Sequence, residues 1–379
     1  MIRRPPRSTL DRSSAASDVY KRQGKSYADY AHHLMLLGAI PPEILGSLHE
    51  AVEDGHSSIK IFTTNIRPPA TTGEPRMVGT GHLHDLMEEI QRMNAMLLVH
   101  SEDDDMVQHM YQKLAREERT EWHNMHLVHS AESEDVSFRR VLRVSEWTGA
   151  PVYFVHVSAT QGLQNILEAR ADGRPVYGET LHNYCCFGSE NYKEENGMKY
   201  HTYPSLKSEA DRQSLWDGII NNGLSTMATD EYCTSWETKI SGRTVADVTG
   251  GHNGAESRMG VTYSEGVSRR GMSLQRFVDV SSANAAKIMG LYPRKGVLAP
   301  GSDADITLID TNFKRKLTMD DFHISDYSIW EGFEADGWPV TTVLRGNVVV
   351  DNREFKGTLG DGKFIPRKVD ALVTNRPVA

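Results

Sequence analysis

The sequence predicts an α/β protein, a TIM-type barrel followed by a small β-sandwich portion. Between Ser26 and about Leu291, short apolar runs alternate with amphipathic stretches, the pattern of βα units around a parallel sheet. After Leu291 the pattern changes to alternating apolar residues punctuated by Gly, Asp and Asn, which is typical of short β-strands joined by turns.

The parallel sheet is predicted from short apolar segments that end in polar or ionisable residues. These candidate strands cover residues 58–62, 95–100, 152–156, 176–179 and 224–230. Amphipathic stretches between them predict helices over residues 83–94, 134–148 and 160–171. The carboxyl ends of barrel strands meet at one mouth, so Lys60, His100, His156 and Asp230 are expected to point into a common site.

The chain is expected to have three parts. Residues 1–23 are basic and rich in serine without the apolar core of a secretory signal, and they resemble translated sequencing-adapter sequence; a natural disordered tail is the alternative. Residues 24–291 are interpreted as a partial barrel, and residues 292–379 as the β-sandwich portion with the carboxy-terminal tail.

Composition limits the classes of partner. A net charge of −9 and a pI near 6.0 give no basic stripe for nucleic acid or an anionic membrane surface. No apolar run of about 18 residues predicts a membrane span. The three cysteines, two of them adjacent, resemble neither a disulfide framework nor a thiolate metal site. A small neutral or weakly polar substrate and a reducing cytoplasm are therefore expected.

The four candidate side chains each have an ordinary explanation when taken singly. A histidine that ends a strand, such as His100 or His156, is more often a hydrogen-bonded core residue than a ligand. Asp230 is placed to cap the following helix. Lys60 lies in an apolar strand, where its ammonium either reaches out to water or has become a carbamate that can bridge two divalent ions. Their ordered occurrence on successive strands favours a shared metal site.

Longer segments give the sequence a specific resemblance. It is similar to the hydantoinase, dihydropyrimidinase and allantoinase branch of the amidohydrolase superfamily from about Ser26 to the end. The segments that carry the resemblance, in the family's order, are DYAHHLM, SIKIF, LLVHSED, VYFVHVSATQG, SLKSEADRQSLWDGI, GVTYSEGV, SSANAAKIMGLYPRKG and PGSDADITLID.

The resemblance implies a two-metal hydrolase of cyclic amides. Carbamylated Lys60 would bridge two divalent ions, zinc in the first place and manganese or cobalt as alternatives. His100 and His156 would bind the more exposed ion, and Asp230 would bind the more buried ion and act as general base. A hydroxide between the ions would attack the amide carbonyl, and Asp230 would pass the proton to the departing nitrogen. Relatives of this kind are usually tetramers or dimers.

The first departure from the family concerns the metal ligands. The family carries a His-x-His pair far ahead of the lysine, whereas only 36 positions separate Gly24 from Lys60 and none of them begins such a pair. His32 and His33 are adjacent and are interpreted as structural, while His82 and His84 follow the lysine and begin a helix pattern. The expectation is an amino-terminal truncation that removes the first two barrel units, so function is inferred for the full-length parent.

The second departure concerns the substrate. Asn65 stands where hydantoinases carry an oxyanion-stabilising tyrosine, and its amide either donates that hydrogen bond or only shapes a loop. Tyr203 and Asn253 mark two further segments expected to bind substrate, mostly through backbone groups. A hydantoin or dihydropyrimidine is the expected ring, with an allantoinase-like ureide as a sibling. A non-enzymatic scaffold relative and a mononuclear deaminase or esterase on the same barrel are the competing classes.

Overall fold

The computed structural model describes residues 23–68 and 76–379 and contains a six-stranded parallel sheet. Its strands follow one another in chain order, each paired with the next, as in the wall of a TIM-type barrel. This confirms the α/β class and the partial barrel. The strands are β1 Leu34–Met35, β2 Ser58–Phe62, β3 Met96–His100, β4 Val152–Phe154, β5 Val176–Leu181 and β6 Thr226–Ala228.

Residues 1–22, nearly all of the predicted leader, lie outside the described residues. The boundary between residues 291 and 292 and the truncation also stay predictions.

In the described residues, six longer helices join the strands: α1 Pro42–Glu53, α2 Thr80–Met93, α3 Asp104–Arg116, α4 Ala131–Thr148, α5 Thr160–Ala171 and α6 Glu209–Ile220. Alternate strand residues such as Ile59 and Ile61 are fully buried in the core that these helices share with the sheet. No helix in the described ranges has the length and apolar character needed to cross a membrane. Shorter helical segments cover residues 122–124, 125–128, 182–186, 189–193, 197–200, 236–239, 258–262, 263–269, 274–278, 279–283, 284–288, 319–321 and 371–375.

Helix caps fix the directions in which the chain leaves the sheet. The Asp103 carboxylate accepts a hydrogen bond from the Met106 amide and starts α3 directly after the loop that follows β3. Ser130 caps α4 in the same way, and α4 ends at Gly149, whose φ is 74°. The Asp103 amide donates to the carbonyl of Ser133 at 2.9 Å, which holds the residues that follow His100 close to the amino-terminal end of α4.

Two strands end earlier than the sequence predicts. The predicted strands 152–156 and 224–230 shrink to three residues each. His156 and Asp230 lie just beyond the ladders with φ of 43° and 44°. A left-handed residue cannot continue a strand, and for a side chain other than glycine it costs about 1–2 kcal/mol. Surrounding contacts must therefore hold both residues at the mouth of the sheet.

The carboxy-terminal part forms a four-stranded antiparallel sheet, which confirms the small β portion. Its strands are β7 Ile306–Lys316, β8 Glu334–Leu344, β9 Asn347–Asp351 and β10 Glu354–Phe355, in the order β10-β9-β8-β7. Arg345 and Gly346 both have positive φ, as the tight hairpin between β8 and β9 requires. Lys295 ties this part to the segment before β1 through Asp29 at 2.6 Å, and it also pairs with Asp303 of its own part at 2.9 Å.

The carboxy-terminal tail packs against residues of the parallel strands in a second, separate core. Val369 and Val373 are buried in an apolar cluster with Met96, Leu98 and Tyr177. The Tyr177 hydroxyl lies 2.8 Å from the carbonyl oxygen of Val373, to which it can donate. The tail therefore covers apolar surface of the sheet that the helices leave uncovered.

A charge placed in this second core is expected to destabilise the fold. Val373→Asp should lower the free energy of unfolding by about 3 kcal/mol or more, because the carboxylate would be buried without a partner. Leu372→Asp is the matched control, since the Leu372 side chain is exposed; it should change stability by less than about 1 kcal/mol. Urea denaturation measures both. Equal losses in the two variants would contradict the described packing of the tail.

Candidate active site

All four predicted metal ligands line one cavity of about 610 Å³ at the carboxyl ends of the parallel strands. Lys60 comes from β2, His100 ends β3, and His156 and Asp230 follow β4 and β6. The structure thus brings together residues up to 170 positions apart in the sequence. The remaining lining residues are Phe62, Asn65, Ile66, Arg67, Arg76, Thr202, Tyr203, Tyr232, Thr234, Thr238, Thr249, Gly250 and Gly251.

The two histidines face each other through ring nitrogens. Nδ1 of His100 lies 2.8 Å from Nε2 of His156, and both side chains are buried. Burial lowers the pKa of each imidazole, well below the usual value for His156, so the neutral form is favoured. Two neutral nitrogens this close either share one proton or face a common cation. The pair is therefore a suitable donor set for a divalent metal.

A buried carboxylate orients one of these histidines. Nε2 of His100 lies 2.7 Å from Glu102 Oε2, so it can donate its proton there and leave Nδ1 as the electron-pair donor. The same carboxylate lies 2.8 Å from Nδ1 of His129. Burial alone would raise the pKa of Glu102, but the charge of His129 and the hydrogen bonds of both histidines hold it well below its ordinary value. Glu102 is thus an anion that supports the candidate ligand His100.

Replacing this carboxylate is expected to weaken metal binding without removing a ligand. Glu102→Gln keeps the size of the side chain but loses the charge, so the Nε2 proton of His100 is held less firmly. Metal affinity should fall about 10- to 100-fold, as measured by competition with a chelator. Glu117→Gln is the control, because Glu117 is an exposed carboxylate that directly follows α3. Unchanged affinity in Glu102→Gln would show that Glu102 does not support a ligand.

Lys60 presents an amine with no ion-pair partner. In the described ranges no carboxylate oxygen lies within the 4.0 Å ion-pair limit of its Nζ, which stands 4.8 Å from the centre of the Phe62 ring. Burial lowers the pKa of Lys60 to about 7, against the charges of Asp230 and Glu179, which raise it. The unprotonated amine, the form that reacts with carbon dioxide, is therefore accessible near neutral pH. These surroundings fit a lysine that becomes a carbamate.

Asp230 lines the cavity, and the alternative that it caps the following helix is not supported. The next helical segment, Trp236–Lys239, is capped by the Ser235 hydroxyl, so Asp230 does not serve as its cap. Enclosure by the protein raises the pKa of Asp230, while the charges of Lys60 and His100 lower it. The ligand atoms of Asp230, His100 and His156 do not all lie within 4.8 Å of one another, so these three residues do not surround a single ion. A bridging lysine between two separate ions suits that spacing.

The side-chain amide of Asn65 is occupied by Asp104 of α3 and by two backbone amides. Its Nδ2 lies 3.1 and 3.2 Å from the two carboxylate oxygens of Asp104, and its Oδ1 accepts from the backbone amides of Arg76 and Met77. These contacts favour the loop-shaping alternative. The predicted substrate role of Asn65 stays a prediction that its hydrogen bonds do not support.

The other two predicted substrate residues occupy different positions. Tyr203 lines the cavity, and its hydroxyl accepts a hydrogen bond from Arg67 Nε at 3.0 Å. Asn253 is buried and is not among the lining residues; its Nδ2 donates to the carbonyl of Tyr327 at 2.8 Å. A substrate role is geometrically open to Tyr203, whereas Asn253 shapes the loop around it.

Several site residues were not anticipated from the sequence. Glu179, on β5, accepts from the Tyr153 hydroxyl at 2.7 Å, and burial raises its pKa to about 7. The signal available for it was its place at the polar end of a predicted strand. Arg67 and Glu102 had no signal beyond closeness in sequence to Lys60 and His100. Among the histidines outside the set, His33 contacts Ser58 Oγ at 2.7 Å, and His82 and His84 lie in α2.

Comparisons with known proteins agree with this geometry. The family model described as the amidohydrolase family matches residues 42–349. A D-hydantoinase of Geobacillus stearothermophilus is 30% identical over 367 residues, which cover 94% of this chain and 76% of that protein. A D-phenylhydantoinase of Escherichia coli O1:K1 is 31% identical, covering 91% and 73%.

Solved structures give the same result. The dihydropyrimidinase from Brevibacillus agri NCHU1002 has a TM-score of 0.90 and 28% identity, covering 97% of this chain and 79% of that one. The D-hydantoinase from Bacillus sp. AR9 has a TM-score of 0.89 and 31% identity, covering 95% and 79%.

Proposed function

Because the chain belongs to the amidohydrolase family, we propose that it hydrolyses a carbon–nitrogen bond in a cyclic amide of the hydantoin or dihydropyrimidine type. The relatives named D-hydantoinase and dihydropyrimidinase support this ring class. The observation that carries the proposal is the convergence of Lys60, His100, His156 and Asp230 in one cavity. The alternative substrate is a ureide of the kind that allantoinases hydrolyse.

The donor set fits a metal centre of the kind that the family generally binds, two ions with a carbamylated lysine between them. Lys60 as a carbamate would bridge both ions, His100 and His156 would hold the more exposed one, and Asp230 the more buried one. Zinc suits imidazole and carboxylate donors, with manganese or cobalt as alternatives. When bound, such a centre supplies an activated water and polarises the amide carbonyl.

The residues of the chain perform the remaining steps. Glu102 holds the Nε2 proton of His100, so that Nδ1 stays available to the cavity. Asp230, open to the cavity, takes the proton from the attacking water and delivers it to the departing ring nitrogen. The product is the ring-opened acid, with one new carbon–oxygen bond and one broken carbon–nitrogen bond.

The ligand set has one gap. No His-x-His pair occurs between Gly24 and Lys60, so Lys60 and Asp230 are the only proposed ligands of the buried ion. A chain extended upstream to include such a pair should bind the second ion more tightly than the 379-residue chain. By resemblance to the family, we also propose that the protein is a dimer or tetramer and that it acts in the cytoplasm.

Ring opening of a panel of five- and six-membered cyclic amides tests the proposal. The full chain, supplied with divalent metal and bicarbonate, should open at least one member and should bind metal. A chain that binds no metal and opens no ring, both as given and extended upstream, would instead be the non-enzymatic scaffold. Turnover without any carbamate on Lys60 would favour a mononuclear deaminase or esterase.

A further inference from the structure

The cavity has more cationic groups than its one carboxylate balances. Among the lining residues that the structure describes, Arg67 and Arg76 are cations besides Lys60, and Asp230 is the single carboxylate. Neither arginine forms an ion pair within the described part of the chain. Since Asp230 and carbamylated Lys60 are assigned to the metal centre, the two guanidinium groups have no counter-charge left among the described lining residues.

A third cation lies directly behind the cavity wall. Lys239 is fully buried, and its Nζ donates to the carbonyls of His201 at 2.7 Å, Thr249 at 2.8 Å and Gly251 at 2.5 Å. It has no carboxylate partner among the described residues. Burial lowers the pKa of Lys239 to about 7, while the three carbonyl acceptors favour the ammonium that donates to them. Lys239 therefore joins the two loops that carry Tyr203 and Gly251, and its protonated form adds positive charge behind this wall.

Arg67 is held in a fixed orientation at the same wall. Its Nε donates to the Tyr203 hydroxyl at 3.0 Å, and its Nη2 donates to the carbonyl of Val248 at 2.6 Å. Its Nη1 has no acceptor in the described residues. A partly buried cation without a counter-ion costs stability, and such groups concentrate at binding sites. An arginine fixed on one side with a free terminal nitrogen is suited to a charge-assisted bond with a carboxylate.

We propose that Arg67, positioned by Tyr203 and Val248, binds an anionic substituent on the substrate ring, so that the preferred substrate is a carboxylated cyclic amide. This inference rests on the proposed function and narrows its substrate class, beyond the neutral or weakly polar ring that composition favours. Lys239 strengthens the attraction from behind the wall without touching the ligand. The competing explanation is that Arg67 has only a structural role and links Tyr203 to Val248 through its two hydrogen bonds.

Calorimetry with a matched ligand pair separates these explanations. The probes are hydantoin-5-acetate and its neutral amide, hydantoin-5-acetamide, titrated into the metal-free full chain so that ring opening does not contribute. The acetate should bind at least roughly ten-fold more tightly than the amide. The preference should shrink as salt is added, because the interaction is between charges.

Variants assign the preference to Arg67. Arg67→Met should remove the preference and leave the affinity for the neutral amide unchanged. Tyr203→Phe, which removes the hydroxyl that orients the guanidinium, should reduce the preference in part. Arg116→Met, which deletes an exposed arginine outside the cavity, is the matched control and should retain it. If Arg67→Met fails to fold, the preference for the acetate measured in Tyr203→Phe and its dependence on salt decide between the carboxylate site and a purely structural Arg67.

The outcomes distinguish this inference from the proposed function. Equal affinity for the two rings, binding of neither, or an equal loss of both in Arg67→Met overturns the carboxylate site. Preferential binding of the acetate by a metal-loaded chain that opens no ring supports the carboxylate site and contradicts the hydrolytic proposal. Ring opening of both probes with equal KM supports the hydrolytic proposal and contradicts the carboxylate site.

Discussion

Lys60→Met, made in the chain extended upstream to include a His-x-His pair, will abolish ring opening and leave less than one metal ion per chain, where the unsubstituted extended chain should hold about two. The side chain keeps its length and loses the amine, so no carbamate can bridge the ions. The rate should fall by at least about 10³-fold. Elemental analysis and ring-opening assays measure the two effects. Lys193→Met is the control, because Lys193 is exposed and pairs with the exposed Glu190; it should match the unsubstituted chain in both.

The pH dependence of carbamylation gives an independent readout of Lys60. Its pKa is lowered to about 7, so below that pH the ammonium form predominates and cannot take up carbon dioxide. Above it the neutral amine predominates. With ¹³C-bicarbonate, the carbamate signal in the NMR spectrum of the metal-free chain should rise through about pH 7. A signal that rises only near the ordinary lysine value of 10.5 would contradict the described surroundings.

Asp230→Asn is expected to separate proton transfer from metal binding. The amide keeps the volume of the carboxylate but cannot shuttle a proton, so kcat should fall about 10²- to 10⁴-fold. The exposed ion, held by Lys60, His100 and His156, should remain bound. Single-turnover kinetics and metal analysis test both statements. Asp217→Asn, an exposed carboxylate on α6, is the matched control.

The acid limb of the pH–rate profile adds a second test of Asp230. Its pKa lies above the ordinary value of 3.8, so the parent should lose activity as the pH falls through that raised value and the base becomes protonated. The residual activity of Asp230→Asn should lack this limb. A kcat near that of the parent, or an unchanged acid limb, would remove Asp230 from the role of base.

The sequence predicted the sheet well because buried parallel strands are continuous apolar runs. The segment SIKIF became β2 without change, and Thr160–Ala171 became α5. The strands that end near His156 and Asp230 were predicted too long, because the left-handed backbone at these two residues leaves no mark in an apolar pattern. Both residues nevertheless lie at the mouth of the sheet, as expected.

The sequence predicted the cavity residues that lie on strands or directly after them, and the family resemblance added Asn65 and Tyr203. Lys239 donates hydrogen bonds to three backbone carbonyls, and backbone acceptors have no sequence signature. The engagement of Asn65 by Asp104 also depends on the backbone that directly follows β2. Contacts between side chains of separate βα units require the fold to be known.

Anomalous diffraction from crystals grown with zinc and bicarbonate tests the central claim most directly. The account predicts a peak between His100 and His156, with continuous density from Lys60 Nζ towards it. In the chain extended upstream to include a His-x-His pair, a second peak should lie about 3.5–4 Å away, beside Asp230. Zinc found only at the acidic cluster of Asp29, Asp303 and Asp305, with none at the two histidines, would contradict it.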